Sequence, residues 1–288
     1  MTVVIAVKVY DGIVLAADSA TALPLFDQST TPPTFTGYQV WNNGDKVFHL
    51  HRDLPIGMAT WGSGQIDSAS IATLAKDLRR RLMGKDTAFT SWELDGGSYT
   101  MQEVANRVIE LMHGELYSRI PAADAQFIGF VVAGYSAKAT HPELWEIHLE
   151  DVTKTPIATK EWGPSDSGWR VMAQPDAVAR LFNGHSPSLL PSVLGIVDQS
   201  EHVAVQALFD GEGRAAVWAA MPFADAVAFA KFCVETTEGY VRFSPGADLV
   251  GGPVDVAAIS KHEGFKWVQR KHYYPSELNP RRPHEHDQ

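Results

Sequence analysis

The sequence predicts an α+β fold in which antiparallel sheets pack on one another with helices outside them. Three observations predict it. Two apolar runs of period two open the chain and are joined by Asp11-Gly12, a strong signal for an antiparallel hairpin. Helical periodicity then arrives as a pair of adjacent helices, not as single helices between successive strands. Runs of strands and runs of helices alternate along the chain, so the layers segregate.

Taken in order, Val3, Ile5, Val7 and Val9 alternate with Val4, Ala6 and Lys8, and Ile13 to Ala17 supplies the second strand. Leu23 to Gln39, rich in Thr, Pro and Gly without a clear period, reads as a long surface excursion. Lys46 to Leu50 and Ile56 to Trp61 form a second strand pair. Ile71, Leu74, Ala75, Leu78 and Leu82 then recur at helical steps, with Arg79 to Arg81 mostly on the outer face and Gly84 as a stop. Thr100-x-x-Glu103 is a capping box that opens the next helix, whose inner stripe is Val104, Val108, Leu111 and Met112. Gln126 to Tyr135, Leu144 to Glu150, Lys154 to Glu161 and Gly168 to Ala173 read as a second four-stranded set. Asp176 to Phe182 and Pro222 to Tyr240 are helical, the latter with Pro222 near its first turn and Gly239 near its end. Gly184 to Val217 has no clear assignment. Pro253 to Ser260 and Gly264 to Val268 close the fold, and Gln269 to Gln288 is a tail. The expected organisation is one domain over 1–268 with a loop insertion at about 22–40, followed by a tail over 269–288.

The 288 residues are long enough to bury a sizeable core, and 45% hydrophobic with 20% charged residues excludes a disordered chain. A formal charge of −10 argues against nucleic acid and anionic membranes as partners. Cys233 is the single cysteine, so no internal disulfide forms and Cys-based zinc sites are excluded, which fits a reducing, cytoplasmic compartment. The first residues lack the basic segment and long apolar run of a signal peptide and are expected to belong to the fold.

Thr2-Val3-Val4-Ile5-Ala6-Val7-Lys8, followed by Asp11-Gly12-Ile13-Val14-Leu15-Ala16-Ala17-Asp18-Ser19, resembles the start of mature proteasome β-type subunits of the bacterial homologue group. These are N-terminal nucleophile hydrolases that cut peptides with a terminal threonine. The resemblance continues in Asp45-Lys46-Val47-Phe48, in Ile56-Gly57-Met58-Ala59 running to Gly62-Ser63-Gly64, and in Val132-Ala133-Gly134-Tyr135. It returns in Glu235 to Tyr240 and Gly251-Gly252-Pro253-Val254-Asp255-Val256. It implies a four-layer αββα sandwich, which agrees with the element order above. It further implies a homo-oligomeric ring, a peptide or unfolded-protein substrate, an ATP-driven unfoldase as a possible partner, and no cofactor or metal.

The chemistry has its own logic. A threonine hydroxyl is a poor nucleophile until a base takes its proton, and a free α-amine, with an ordinary pKa of about 7.7–8.0, is a suitable base at neutral pH. Both groups sit on Thr2 once Met1 is removed, and activation is then expected to need no propeptide cleavage. Asp18 ends the second strand, so the hairpin returns its carboxylate beside Thr2. Lys46 matches the family's lysine, whose ammonium would favour the ionised hydroxyl and pair with Asp18. It stands 28 residues beyond Asp18, farther than in the family, and the extra length falls in the 22–40 excursion, where loop growth costs little.

Amides around Ser63 and Gly64, at a strand-to-helix turn, are the expected donors to the oxyanion. By the same resemblance Trp61 forms the base of the substrate pocket, with Thr21 and Gln65 beside it. So bulky a residue predicts a preference for small side chains. Gln174 stands where the family has a serine, with Ser165 and Ser167 as alternatives. Asp248 stands one place off the family's aspartate, and the serine that accompanies it is absent.

Two rival functions share this framework: a non-catalytic structural ring subunit, and a small-molecule amidase using the same nucleophile. A phosphate cradle at Gly62-Ser63-Gly64 is disfavoured, because Asp67 occupies the place of a third glycine and no parallel βαβ repeat follows. His284 and His286, with Glu285 and Asp287, read as a solvated tract, not a metal site.

Overall fold

The computed structural model describes residues 2–271; the histidine tract and most of the expected tail lie outside them. The chain opens with β1 (Val4–Val9) and β2 (Gly12–Ala17), then β3 (Thr21–Asp27), β4 (Thr34–Trp41), β5 (Val47–His49) and β6 (Ile56–Gly62). Two short strands, β7 (Gln65–Ile66) and β8 (Ala69–Ser70), lead into α1 (Ile71–Leu82) and α2 (Met101–Ile109). There follow β9 (Ile128–Gly134), β10 (Glu143–Leu149), β11 (Thr159–Trp162) and β12 (Gly168–Met172), then α3 (Asp176–Asn183), α4 (Leu189–Leu194), α5 (His202–Glu212) and α6 (Phe223–Arg242). β13 (Asp255–Ser260) and β14 (Gly264–Gln269) complete the described chain.

Two five-stranded sheets result, with orders β12-β1-β2-β13-β14 and β11-β10-β9-β6-β5, every pair antiparallel. The alternation read from the first strand sorts its side chains into two cores. Val4 and Ala6 face the second sheet, in a layer shared with Ala59, Val131 and Ile259. Val3, Ile5, Val7 and Val9 face the other way, against Ala226, Ala230, Cys233 and Val234 of α6. On the far side of the second sheet, Met58, Phe130 and Val132 pack under Leu74 and Leu78 of α1 and Val104 and Val108 of α2. The molecule is therefore layered helices, sheet, sheet, helices.

Several expectations need correction. The strands of 126–173 do not form a sheet of their own: β12 pairs with β1, while β5 and β6 join β9 to β11. Sequence order does not dictate pairing when both sheets are antiparallel and the connections cross between layers. The stretch 154–161 contributes a strand only from Thr159. The excursion at 22–40 is not irregular but a two-stranded ribbon, β3 with β4, its period obscured by a bulge between Leu25 and Phe26. The unassigned segment after Gly184 contains α4 and α5, neither of which buries a residue. Arg81 is not on a solvated face. It is 9% exposed, forms a two-pronged bond to Glu115 at 2.5 and 2.9 Å, and lies 3.5 Å above the Phe89 ring. Thr100 caps α2 as expected, its hydroxyl accepting from the Glu103 amide at 3.1 Å.

Candidate active site

The β1–β2 hairpin pairs Val4 with Ala17, so the residues just beyond, Val3 and Asp18, meet at its open end. The Val3 amide donates to Asp18 Oδ1 at 3.0 Å. Lys46, immediately before β5 in the other sheet, reaches across and donates from Nζ to the same oxygen at 2.6 Å. Asp18 Oδ2 accepts from the amides of Ala20 and Gly251, both at 3.1 Å. Four donors thus converge on a carboxylate with no solvent exposure, filling its acceptor sites and holding the ends of two sheets and one loop together. Gly251 belongs to the Gly-Gly-Pro run seen in the sequence, but spacing alone gives no sign of its bond to Asp18.

Burial holds the Lys46 ammonium below the usual lysine range, with the Asp18 charge as the main opposing influence. Two further charged groups bear on it with opposite effect. Lys271, whose side chain is buried, donates to Asp255 and to Ser19 Oγ at 2.8 Å, lies 3.5 Å from Asp45, and pushes Lys46 down further. Glu238, near the C-terminal end of α6, pushes it up. α6 packs along β1 and β2 with Phe223 against Gly12, so its far end sits at the Asp18 end of the hairpin. Burial and then the Asp18 charge raise the Glu238 carboxyl to about 7, and its Oε1 is buried with no hydrogen-bond partner among the described residues.

A cleft of about 430 Å³ opens in front of this corner. Thr2, Thr21, Lys46, Trp61, Ser63, Gly64 and Gln65 all line it, with Asp18 behind them. Gln174 and Asp248 do not line it. Gln174 follows β12 and bonds back to the Met172 carbonyl, while Asp248 is exposed and bears electrostatically on Glu238. Ser165 and Ser167 are exposed in the loop before β12. Sequence reasoning missed the walls supplied by Leu23, Pro24 and Trp41 of the ribbon and by Gln126 and Phe127 before β9.

The Ser63 amide is not free for an oxyanion, because it donates to the Phe127 carbonyl at 2.9 Å. Gly62, one residue earlier, is the better donor. The Thr60 amide points away from β9, to the Lys46 carbonyl at 2.9 Å, and strand alternation turns the Gly62 amide the same way, toward the cleft. Gly62 has a φ of +88°, and a Cβ there would lie 2.4 Å from the Phe127 carbonyl oxygen, so no other residue fits. Gly64 borders the cleft with open space about its Cα. Trp61 reaches the cleft, but its indole lies across Gly129, where a Cβ would stand 2.1 Å from the ring, and meets His148 edge-on at 5.8 Å.

No protein-family model matches the chain, and no curated protein matches it. Among solved structures the chain is similar to Anbu (ancestral beta-subunit) from Yersinia bercovieri, with a TM-score of 0.48 and 12% identity over 94% of this chain and 88% of that one. No helix of the described residues is long and apolar enough to cross a membrane.

Proposed function

We propose that the chain is a proteasome-like threonine hydrolase that cuts peptide bonds through Thr2. The observation that carries this reading is the buried Asp18–Lys46 pair, 2.6 Å long, set at the Thr2 end of β1 in a cleft that Thr2 and Lys46 both line. The Thr2 hydroxyl attacks the substrate carbonyl while its own α-amine, free once Met1 is removed, takes the proton. The Lys46 ammonium, held by Asp18, lowers the cost of negative charge on the attacking oxygen. The amides of Gly62 and Gly64 receive the oxyanion. Collapse expels the amine fragment, protonated by the Thr2 amine, and leaves an ester on Thr2. Water, deprotonated by the same amine, then hydrolyses that ester. Peptide or unfolded protein is the substrate class, a homo-oligomeric ring in the cytoplasm the expected assembly, and an ATP-driven unfoldase the expected supplier of chains.

Intact-mass measurement of the purified protein, before and after a threonine-directed epoxyketone, tests this. The expected result is loss of Met1 and one adduct on Thr2 that Thr2→Ala abolishes. Retention of Met1 on every chain sinks the mechanism. So does the absence of both adduct and peptide turnover, which leaves the structural-subunit reading. Turnover of small amides but not of peptides would instead select the amidase.

A further inference from the structure

The ribbon that lengthens the distance from Asp18 to Lys46 has an unusual composition. From Thr21 to Trp41 the chain carries one charged residue, Asp27. Ala22 pairs with Val40, Pro24 with Tyr38 and Phe26 with Phe35, so these six side chains share one face. The rings form a ladder, Phe26 to Phe35 at 5.8 Å and Phe35 to Tyr38 at 4.9 Å, while each stays exposed by 42 to 49%. The ribbon pairs with neither large sheet. Its base is nonetheless part of the candidate cleft, through Ala22, Leu23, Pro24 and Trp41. The apolar face therefore continues out of the cleft along β3 from Ala22 through Pro24 to Phe26, about 13 Å at the usual rise of a strand.

We propose that this face is an extended binding surface for uncharged, apolar stretches of unfolded polypeptide, leading them toward Thr2. The proposal rests on the peptide-hydrolase reading and names what that site prefers at a distance from the cut bond. Three features favour such an occupant. The surface is continuous with the cleft. Its near-absence of charge leaves no code for a charge-matched partner and tolerates many apolar sequences. Pro24 lacks an N–H and so blunts pairing along the free edge of β3, which disfavours extension of the ribbon by a second copy on the side that lines the cleft.

The test uses full-length Thr2→Ala protein and a fluorescein-labelled, uncharged apolar peptide of about a dozen residues, long enough to span cleft and ribbon. Fluorescence anisotropy is expected to give a Kd about tenfold weaker, or more, in Phe26→Ser/Phe35→Ser/Tyr38→Ser than in the parent. Phe35→Ser alone, the least disturbing change, weakens it in the same direction. With Thr2 present, kcat/KM for the long peptide falls through KM, and its ratio to that of a short peptide confined to the cleft falls toward one. Equal Kd and KM in parent and variants would overturn the proposal. Loss of an oligomer on sedimentation of the peptide-free triple variant would also overturn it, by assigning the face to a second copy. Ribbon-dependent binding together with no epoxyketone adduct on Thr2 supports the ribbon surface while removing the peptidase reading, so the two fail separately.

Discussion

The corner around Asp18 and the ribbon from Thr21 to Trp41 border the same cleft and are built on opposite terms. The corner is charged, dry and assembled from distant segments: Asp18 takes donors from Val3, Lys46 and Gly251, separated from it by 15, 28 and 233 residues. The ribbon is nearly uncharged and exposed, and its strands pair only with each other. Groups that must hold a charge out of water need every partner in place, because an ion left unpaired in the interior costs several kcal/mol. Apolar contacts that meet a varied ligand need no such completeness. The corner therefore depends on every one of its partners, and the ribbon does not.

The sharpest way to break this contrast is Lys46→Met. It leaves the Asp18 carboxylate buried without its cation, and an expected loss of about 3–5 kcal/mol in chemical denaturation, with loss of Thr2 labelling, would follow. A loss within the range of a surface pair, about 1 kcal/mol or less, would mean that water replaces the ammonium and that the corner is not dry. Next in size is Gly44→Ala, at the junction of the two regions. A Cβ there would meet the Thr21 hydroxyl at 2.2 Å, and the Gly44 amide already donates to the Ser19 carbonyl at 2.8 Å. About 1–3 kcal/mol is expected.

Glu238→Gln gives a smaller effect confined by pH. The folded carboxyl is raised from an ordinary 4.5 to about 7, so the folded state holds a proton that the unfolded chain has released. Stability from this group is fully present below about pH 4.5 and is lost as pH rises through about 7. The side-chain amide of the variant cannot ionise, so thermal melts across that window should show the variant gaining on the parent as pH rises, with no further gain above it. A parallel pair of profiles would refute the assignment. Smallest of all is Phe35→Ser on the ribbon, expected to move the unfolding free energy by about 1 kcal/mol, since the ring is half exposed, supports no core and gives up only its contacts with Phe26 and Tyr38. A larger loss would show that the ribbon is folded against something that the isolated chain lacks.

Legibility in the sequence followed locality. Asp11-Gly12 between two β-branched runs announces the first hairpin, and with it the return of Asp18 to Val3. Thr100 and Glu103 announce α2, and the leucine stripe announces α1. The ribbon hid because both of its faces carry apolar residues and a bulge breaks its period at Leu25 and Phe26. α4 and α5 hid because a helix that buries nothing leaves no apolar stripe to read. Its place in a glycine turn recommends Ser63 as an oxyanion donor, yet the direction of an amide depends on which neighbour its strand pairs with, and that neighbour is β9.

By itself, then, the sequence determined the periodic elements, the hairpin that brings Asp18 back to the start of β1, and the resemblance that singled out Thr2 and Lys46, because each of these lies in short-range pattern. Only the tertiary structure decided that β12 joins the first sheet, that Gly251 and Lys271 close the corner, that Glu238 stands against it, and that the ribbon walls the cleft. Those arrangements depend on which apolar faces bury one another across layers, and on which charges find partners once water is excluded.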